Sequence, residues 1–254
     1  MNLELSGKTV LLTGALRGLG VAMGKAFVAE GATLIACGRE PQGAGDAKVR
    51  GLFGISARYA FIDVTAPETI DLALQTHRPS VVVGNAGLTH SHAVADIPLD
   101  EWESVLRVNL TGNFLLARAA VPILREQGGG AILFIGTWNQ AVPLANTAAY
   151  TASKAGLEMF SRNLALEEAA NGIWVNNLAV GVIAAGMAQA QIDSEPARGE
   201  RALRVIPLRR LGTPEEIADA AVFLCSARAS YITGTTLTAD GGASLFDRTF
   251  LASS

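Results

Sequence analysis

Lys8-Thr-Val-Leu-Leu-Thr-Gly-Ala-Leu-Arg-Gly-Leu-Gly20 joins an apolar run to a glycine-rich turn, and a helical apolar pattern follows through Phe27, Val28 and Gly31. The apolar run is typical of a buried strand. A strand, a glycine-rich turn and a helix in this order can cradle a pyrophosphate, because glycines let the backbone approach the phosphates and the helix N-terminus supplies free N–H groups. The spacing is G-x-x-x-G-x-G, which differs from the G-x-G-x-x-G dinucleotide fingerprint, and an ordinary tight turn is the alternative. In this context we predict a nucleotide site.

Strand-like and helical patterns alternate along the rest of the chain. The further strand-like runs are Thr33–Cys37, Arg58–Val64, Ser80–Gly84, Gly130–Gly136, Gly172–Ala179 and, with its turn, Thr236–Gly242. No internal repeat and no linker interrupts the alternation. It predicts one α/β domain over residues 1–254 with a doubly wound parallel sheet of the Rossmann-like type.

The helical segments are patterned to different degrees. A long helix is predicted over Glu101–Gln127, and a second runs from Ala148 with Met159 and Leu166 in its apolar set, which is typical of a buried helix. Gln42–Gly54 is glycine-rich, and we interpret it as a short irregular surface helix.

Near the end of the chain, a loosely patterned segment precedes a clear helix start. Residues 180–206 are long and weakly patterned, which is typical of a lid over an active site. Gly212–Ile217 carries the signals of a helix N-terminus: Thr213 as N-cap, Pro214 at the first helical position and Glu216 at the third.

Composition excludes several classes of function. The 254 residues carry a net charge of -3, half of them are hydrophobic and 17% are charged. This balance provides no basic field for nucleic acid and no polybasic membrane patch. The N-terminus lacks a signal-peptide pattern, and no window is apolar enough for a membrane span. Cys37 and Cys225 lie far apart without a CxxC motif, so we expect reduced, buried thiols in a cytoplasmic protein.

The end of the second strand carries information about cofactor choice. An acidic residue there would bind the adenosine ribose of NAD, whereas arginine suits the 2′-phosphate of NADP. Gly38 offers no carboxylate, while Arg39 and Arg17 both offer a guanidinium. The two arginines favour NADP, although each could also be a solvated surface residue. Glu40 keeps NAD possible.

Two other strand ends carry candidate cofactor residues. Asp63 ends the third strand, where its carboxylate could contact an adenine amine or could cap the helix that begins near Pro67. Asn85-Ala-Gly87 follows the fourth strand. Its small residues would let the backbone approach a flat ring, with an ordinary turn as the alternative.

Polar residues elsewhere suggest further roles. His90 and His92 form a His-x-His pair that could hold a metal, but the sequence offers no third ligand at suitable spacing. We therefore predict no metal and a loop that faces substrate. Asn109 lies among apolar residues of a helix, where it requires hydrogen-bond partners.

The strongest chemical signal is Tyr150-Thr-Ala-Ser-Lys154. Tyr150 and Lys154 are i and i+4 on a predicted helix, so their side chains share one face. A nearby ammonium favours a phenolate and lowers the pKa of a tyrosine, and such a phenol can exchange a proton with a carbonyl or alcohol oxygen. Tyrosine and lysine often occur at this spacing by accident, so the pair requires support from the rest of the chain.

These motifs together resemble the short-chain dehydrogenase/reductase family, in the right order and over nearly the whole chain. The resemblance implies that Tyr150 is the general acid/base, that Lys154 binds the nicotinamide ribose and tunes Tyr150, and that Asn109 holds a proton-relay water. Thr137 stands where the family commonly has the serine that binds the substrate oxygen. The cofactor residues then predicted are Gly14, Leu16, Arg17, Gly18, Leu19, Gly20, Arg39, Asp63, Val64, Asn85, Ala86, Gly87, Tyr150, Lys154, Gly181, Val182 and Ile183.

The chain also departs from the family pattern. The methyl group of Thr137 narrows the site and stiffens χ1. Val180-Gly181 replaces the usual Pro-Gly, Ala185 lies where a threonine often contacts the cofactor amide, and Gly84 precedes Asn85 in place of a second asparagine. These changes predict altered nicotinamide contacts or an unusual substrate.

The sequence thus predicts an NADP(H)-dependent carbonyl reductase or alcohol dehydrogenase that acts on a small molecule. The alternatives are an NAD-linked sugar or polyol dehydrogenase and a non-catalytic regulatory protein that binds the cofactor. Family likeness implies a homotetramer built through the long helices. The predicted substrate pocket comprises His92, Trp138, Asn139, Gln140 and Met187.

Overall fold

The computed structural model describes residues 3–194 and 196–245. Within these residues, seven parallel strands form one sheet in the order β3-β2-β1-β4-β5-β6-β7. The strands are β1 Thr9–Thr13, β2 Thr33–Gly38, β3 Ala57–Phe61, β4 Val81–Gly84, β5 Gly130–Thr137, β6 Ile173–Val180 and β7 Thr236–Ala239. The doubly wound parallel sheet is confirmed. The strand order reverses between β1 and β4, which is where such sheets bind ligands.

Both faces of the sheet are covered, which explains the continuous apolar runs of its strands. On one face, Val10 and Leu12 pack with residues of the first and last helices, including Phe27. On the other face, Leu11 packs with residues of the long central helices, including Leu116 and Leu157. Burial of alternate strand residues on opposite sides follows from the two-residue period of a strand.

Apart from α7 and α8, the helices that the structure describes lie where the sequence placed helical patterns. They are α1 Leu19–Ala29, α2 Gln42–Phe53, α3 Pro67–His77, α4 Leu99–Leu106, α5 Gly112–Glu126, α6 Ala148–Glu168, α7 Gly186–Ser194, α8 Pro196–Val205 and α9 Pro214–Cys225. The predicted start of α9 is confirmed, since Thr213 and Glu216 form a reciprocal capping box with Pro214 in the first turn.

Several local predictions are wrong. The helix predicted over Glu101–Gln127 starts at Leu99, and a π-helical turn at Arg107–Thr111 divides it into α4 and α5. The Gln42–Gly54 segment is a regular helix, because Val49 and Phe53 bury one of its faces.

The weakly patterned residues after β6 form α7 and α8, and the interpretation of this segment as a lid stays a prediction. The expectation of a fully buried helix fails for α6. On α6, Met159 is 55% exposed and Leu166 is 83% exposed, so only part of its apolar set is buried.

Burial and hydropathy agree with the composition in two respects. Both cysteines are free and buried, and burial raises the pKa of each thiol well above its ordinary value. Of the described helices, none is both long enough and apolar enough to cross a lipid bilayer.

Candidate active site

The candidate site lies at the carboxyl ends of the strands, beside the reversal between β1 and β4. Asn85, just after β4, ties these strands together: its Nδ2 donates to the carbonyl oxygens of Thr13 and Gly14 at 3.0 and 3.1 Å. The Thr13 hydroxyl accepts from the backbone N–H groups of Asn85 and Ala86. Asn85 therefore fixes the turn after β4 against the turn after β1.

The turn after β1 has the geometry that a pyrophosphate requires. Gly14 and Gly18 both have positive φ, at 64° and 52°, and a Cβ on Gly14 would contact Asn85 and Ala86. Gly18 is the N-cap residue of α1, and no side chain caps this helix. Close backbone approach and an uncapped helix N-terminus fit the pyrophosphate of a dinucleotide. Leu16 is buried beside the turn.

Arg17 and Arg39 form an arginine edge at one side of the cleft. Both are exposed, and among the described residues neither guanidinium makes a hydrogen bond or a salt bridge. Glu40 behaves differently, because its Oε1 pairs with Lys48 Nζ at 2.9 Å, which lowers the pKa of the carboxyl. Its Oε2 lies against Gly38, where a larger residue would displace it.

The two predicted residues after β3 make mainly structural contacts. Asp63 Oδ1 accepts from the backbone N–H and hydroxyl of Thr65, at 2.9 and 2.7 Å. Asp63 therefore orders the loop, while Ala66 takes the N-cap position of α3. Val64 packs against Gly112 of α5.

Tyr150, Lys154 and Thr137 meet beside the end of β5. Lys154 Nζ lies 6.0 Å from the centre of the Tyr150 ring and donates to the Ile135 carbonyl oxygen at 2.7 Å. Lys154 is 3% exposed and Thr137 is 6% exposed. The Thr137 hydroxyl lies beside Tyr150, where it favours the phenolate and acts to lower the pKa of the phenol. The cluster thus combines a phenol, a hydroxyl and a buried amine.

Burial shifts the pKa values of two groups in this cluster. It lowers the pKa of Lys154 from 10.5 to about 8. It also raises the pKa of Tyr150 above its ordinary value, while the neighbouring Thr137 hydroxyl acts in the opposite direction. The expectation that Lys154 lowers the pKa of Tyr150 is therefore wrong for the chain by itself. The ammonium is about 6 Å from the ring, and it does not outweigh desolvation of the phenol.

Asn109 is fully buried in the π-helical turn and has the partners that its burial requires. Its Oδ1 accepts from Leu88 N–H at 2.8 Å, and its Nδ2 donates to the Leu88 carbonyl oxygen at 2.9 Å. The same amide group donates to Ser153 Oγ at 3.0 Å, next to Lys154. Gly87 lies between these groups, since a Cβ there would be 3.5 Å from Asn109 Oδ1 and 3.9 Å from Lys154 Nζ. We call Asn109, Thr137, Tyr150 and Lys154 the proton-handling cluster, after the role that the sequence predicts for them.

The loop after β6 closes against the glycine-rich turn. Ile183 forms a parallel bridge with Gly212, and Val182 accepts a backbone hydrogen bond from Gly212 at 3.1 Å. Gly186 begins α7 and lies so close to Gly18 that a Cβ on Gly18 would be 3.0 Å from the Gly186 Cα. The predicted cofactor residues at the ends of β1 and β6 therefore share one cleft.

The predicted substrate residues differ in how far the protein itself satisfies their polar atoms. Gln140 caps the turn after β5: its Oε1 accepts from Thr137 N–H, and its Nε2 donates to Asn177 Oδ1, both at 3.2 Å. Both ends of its amide bind the protein, and its assignment to the substrate pocket stays a prediction. Asn139 Oδ1, in contrast, is buried without a hydrogen-bond partner among the described residues. Trp138 is partly buried in the same turn, and Met187 is 46% exposed on α7.

The two histidines after β4 share a carboxylate. Glu101 Oε2 lies 2.8 Å from His92 Nε2 and 3.2 Å from His90 Nδ1. The three side chains line a small cavity with Asn146 and the start of α6. Across residues 3–194 and 196–245, no group of three His, Cys, Asp or Glu side chains has an arrangement that could hold a metal ion.

Sequence reasoning missed three partners of the site: Ser153, Asn113 and Glu101. Ser153 adjoins Lys154, and Asn113 lies four residues after Asn109 on the same helix face, so both could have been found from spacing. Glu101 could not, because its approach to the histidines depends on how the loop before α4 folds.

Comparison with known proteins identifies related chains. A family model described as enoyl-(acyl carrier protein) reductase matches residues 14–244. The 3-oxoacyl-[acyl-carrier-protein] reductase FabG of Salmonella typhimurium is 36% identical over 245 residues, which cover 94% of this chain and 98% of that protein.

Two solved structures have the same fold. One is L-sorbose reductase from Gluconobacter frateurii in complex with NADPH and L-sorbose, with a TM-score of 0.87 and 29% identity over 96% of this chain and 98% of that one. The other, from Agrobacterium tumefaciens, is described as a 2-deoxy-D-gluconate 3-dehydrogenase with bound NADP. It has a TM-score of 0.88 and 31% identity over 96% of this chain and 99% of that one.

Proposed function

Because the chain belongs to the short-chain dehydrogenase/reductase family, we propose that it is an NADP(H)-dependent enzyme that interconverts a carbonyl compound and a secondary alcohol. The observation that supports this most strongly is the proton-handling cluster. A phenol, a hydroxyl and a buried amine lie at one strand end, beside a glycine turn that fits a pyrophosphate.

Each residue of the cluster has a separate task. In reduction, Tyr150 donates a proton to the carbonyl oxygen, and Thr137 orients that oxygen through its hydroxyl. By family resemblance, Lys154 would bind the nicotinamide ribose of the cofactor, and Asn109 would support the return of a proton. NADP(H), when bound, would supply or accept the hydride.

We assign the cofactor from the charges around the cleft. Arg17 and Arg39 are exposed and, among the described residues, form no hydrogen bond or salt bridge, so both guanidinium groups are available to a 2′-phosphate. The Glu40 carboxylate, which would serve a ribose hydroxyl, is already paired with Lys48. One of the two related structures has NADP bound, and the other has NADPH bound. The residues that would hold the cofactor are Gly14, Leu16, Arg17, Gly18, Leu19, Gly20, Arg39, Asp63, Val64, Asn85, Ala86, Gly87, Tyr150, Lys154, Gly181, Val182 and Ile183.

A sugar or polyol substrate is the second candidate, and Asn139 favours it. A buried amide oxygen without a partner is costly, and a substrate hydroxyl would satisfy it. His92, Trp138 and Met187 complete the proposed pocket with Asn139. The related L-sorbose reductase binds a polyhydroxylated substrate.

The assembly and location that we propose follow the family resemblance. Phe114 on α5 and Met159 on α6 are 41% and 55% exposed, and a homotetramer built through the long helices would cover them. The buried, free thiols suit a reducing cytoplasm. Light scattering of the purified chain would measure the oligomeric state.

The decisive experiment follows absorbance of the reduced nicotinamide with a panel of ketones, 3-oxoacyl thioesters and ketoses, for NADPH and NADH separately. We expect turnover with NADPH at a higher kcat/KM than with NADH. Binding of NADPH without turnover of any substrate would favour the non-catalytic regulatory protein. A higher kcat/KM with NADH would overturn the cofactor assignment.

A further inference from the structure

Gly84 and Asn113 share one small space behind the candidate site. Gly84 is the last residue of β4 and is buried, and a Cβ there would overlap Asn113 Oδ1 and press on Phe134. Asn113 is 4% exposed on α5. The missing side chain at residue 84, a departure from the family pattern, therefore makes room for the carboxamide of Asn113.

That carboxamide binds the residue at the centre of the π-helical turn. Asn113 Nδ2 donates to the backbone carbonyl oxygen of Asn109 at 2.7 Å. The π-helical turn is wider than α-helix, as the Gly112 N–H shows by donating to Arg107 five residues earlier. A side-chain donor from the following turn fixes the position of the Asn109 backbone within this widened segment.

The Asn109 side chain connects its own backbone to two other segments of the site. It holds both backbone polar groups of Leu88 and the hydroxyl of Ser153. Ser153 in turn donates to the Tyr150 carbonyl oxygen at 2.6 Å. A displacement of the Asn109 backbone would therefore loosen the loop after β4 and the first turn of α6 together.

We propose that Asn113 is a positioning residue, which locks Asn109 through its backbone carbonyl and which depends on the absence of a side chain at residue 84. The inference rests on the proposed function for its effect on turnover. Its structural part, the coupling of residues 84, 113 and 109, stands independently of any activity.

The test uses an isosteric pair. In Asn113→Thr, the hydroxyl can donate to the carbonyl four residues earlier, whereas Asn113→Val has the same shape and no donor. We expect amide hydrogen exchange at Leu88 to stay near the wild-type rate in Asn113→Thr and to rise about tenfold in Asn113→Val. Leu116→Val, in the core of the same helix, controls for general destabilisation and should leave Leu88 exchange unchanged. Equal exchange in the Thr and Val variants would overturn the proposal whether or not the chain is an enzyme.

Kinetics extend the test to the site. With NADPH, we expect kcat to fall about tenfold in Asn113→Val and to be largely kept in Asn113→Thr, with little change in the Kd for NADPH.

Gly84→Ala should lower kcat as Asn113→Val does, because the new methyl displaces the carboxamide. Gly84→Ala combined with Asn113→Val should be no worse than either alone, whereas multiplied losses would mean that the two residues act separately. If wild type shows no turnover while the exchange pattern holds, the proposed function fails and the positioning role survives.

Discussion

The proton-handling cluster follows β5 and the arginine edge follows β1 and β2, and the two are built in opposite ways. In the cluster, Asn109, Thr137 and Lys154 are almost completely buried and each has a partner within the protein. At the edge, Arg17 and Arg39 are exposed and, within the described residues, form no hydrogen bond or salt bridge.

The difference matches two kinds of task. A proton moves only between groups held within hydrogen-bond reach and with tuned pKa values, so these groups must be buried and fixed. A phosphate can be bound by flexible, fully charged groups that water keeps ionised. We therefore expect substitutions in the cluster to change kcat, and substitutions at the edge to change cofactor preference.

The largest effect should come from Tyr150→Phe. Loss of the acid/base group should lower kcat by about 10²–10⁴-fold, because such proton transfers contribute this much. The Kd for NADPH should change little, since the ring does not hold the phosphates. Stopped-flow turnover and fluorescence titration measure the two quantities, with exposed Tyr231→Phe as the control. Reduction near the wild-type rate would refute the proposed mechanism at its central residue.

Thr137→Val should lower kcat by about 10²-fold, because the oriented hydroxyl that holds the substrate oxygen is lost. Thr137→Ser keeps that hydroxyl and should retain activity or accept more substrates. Folding should survive, since the hydrogen bonds of Thr137 with Val180 and Asn139 are long, at 3.5 Å. Steady-state kinetics and circular dichroism are the measurements. Equal kcat in wild type and Thr137→Val would show that the substrate oxygen is held elsewhere.

Lys154→Met tests the cost of burying the amine. Because the pKa of Lys154 falls from 10.5 to about 8 on folding, the unfolded chain binds more protons between these values. The stability that is lost by burying the protonated amine is therefore greatest below pH 8, and this loss disappears as the pH rises towards 10.5. The free energy of unfolding of wild type should rise relative to Lys154→Met by up to about 3 kcal/mol between pH 7 and 10. Urea unfolding at several pH values measures this difference in free energy of unfolding. For the control, Lys25→Met at an exposed lysine, the difference from wild type should not change with pH in this way. A difference for Lys154→Met that stays constant with pH would contradict the lowered pKa.

The smallest effect belongs to the edge. Arg39→Ala should raise the KM for NADPH by the equivalent of about 1.5–3 kcal/mol at low salt and less at physiological ionic strength, because the residue is exposed. The KM for NADH should hardly change, and kcat should stay near wild type. Arg50→Ala, on the exposed face of α2, is the matched control. A parallel rise in both KM values would mean that Arg39 supports the fold of the cleft and not the 2′-phosphate.

The sequence by itself determined the architecture and the position of the chemistry. Apolar runs with glycine-rich ends predict parallel strands whose carboxyl ends share one edge, and hydrophobic burial enforces that pattern wherever it occurs. The spacing of Tyr150 and Lys154 predicts a shared helix face because helical geometry is local. The sequence also predicts the capping box of α9, because helix capping depends on residues that are close together in the chain.

Only the tertiary structure decided the quantities that depend on surroundings. The pKa of Tyr150 is raised and not lowered, because desolvation depends on every neighbour that excludes water. Gln140 binds Asn177 on the neighbouring strand, and Asn113 occupies the space that Gly84 leaves open. These contacts join residues that are distant in sequence, and their distances are set by the packing of helices on the sheet, which no local pattern records.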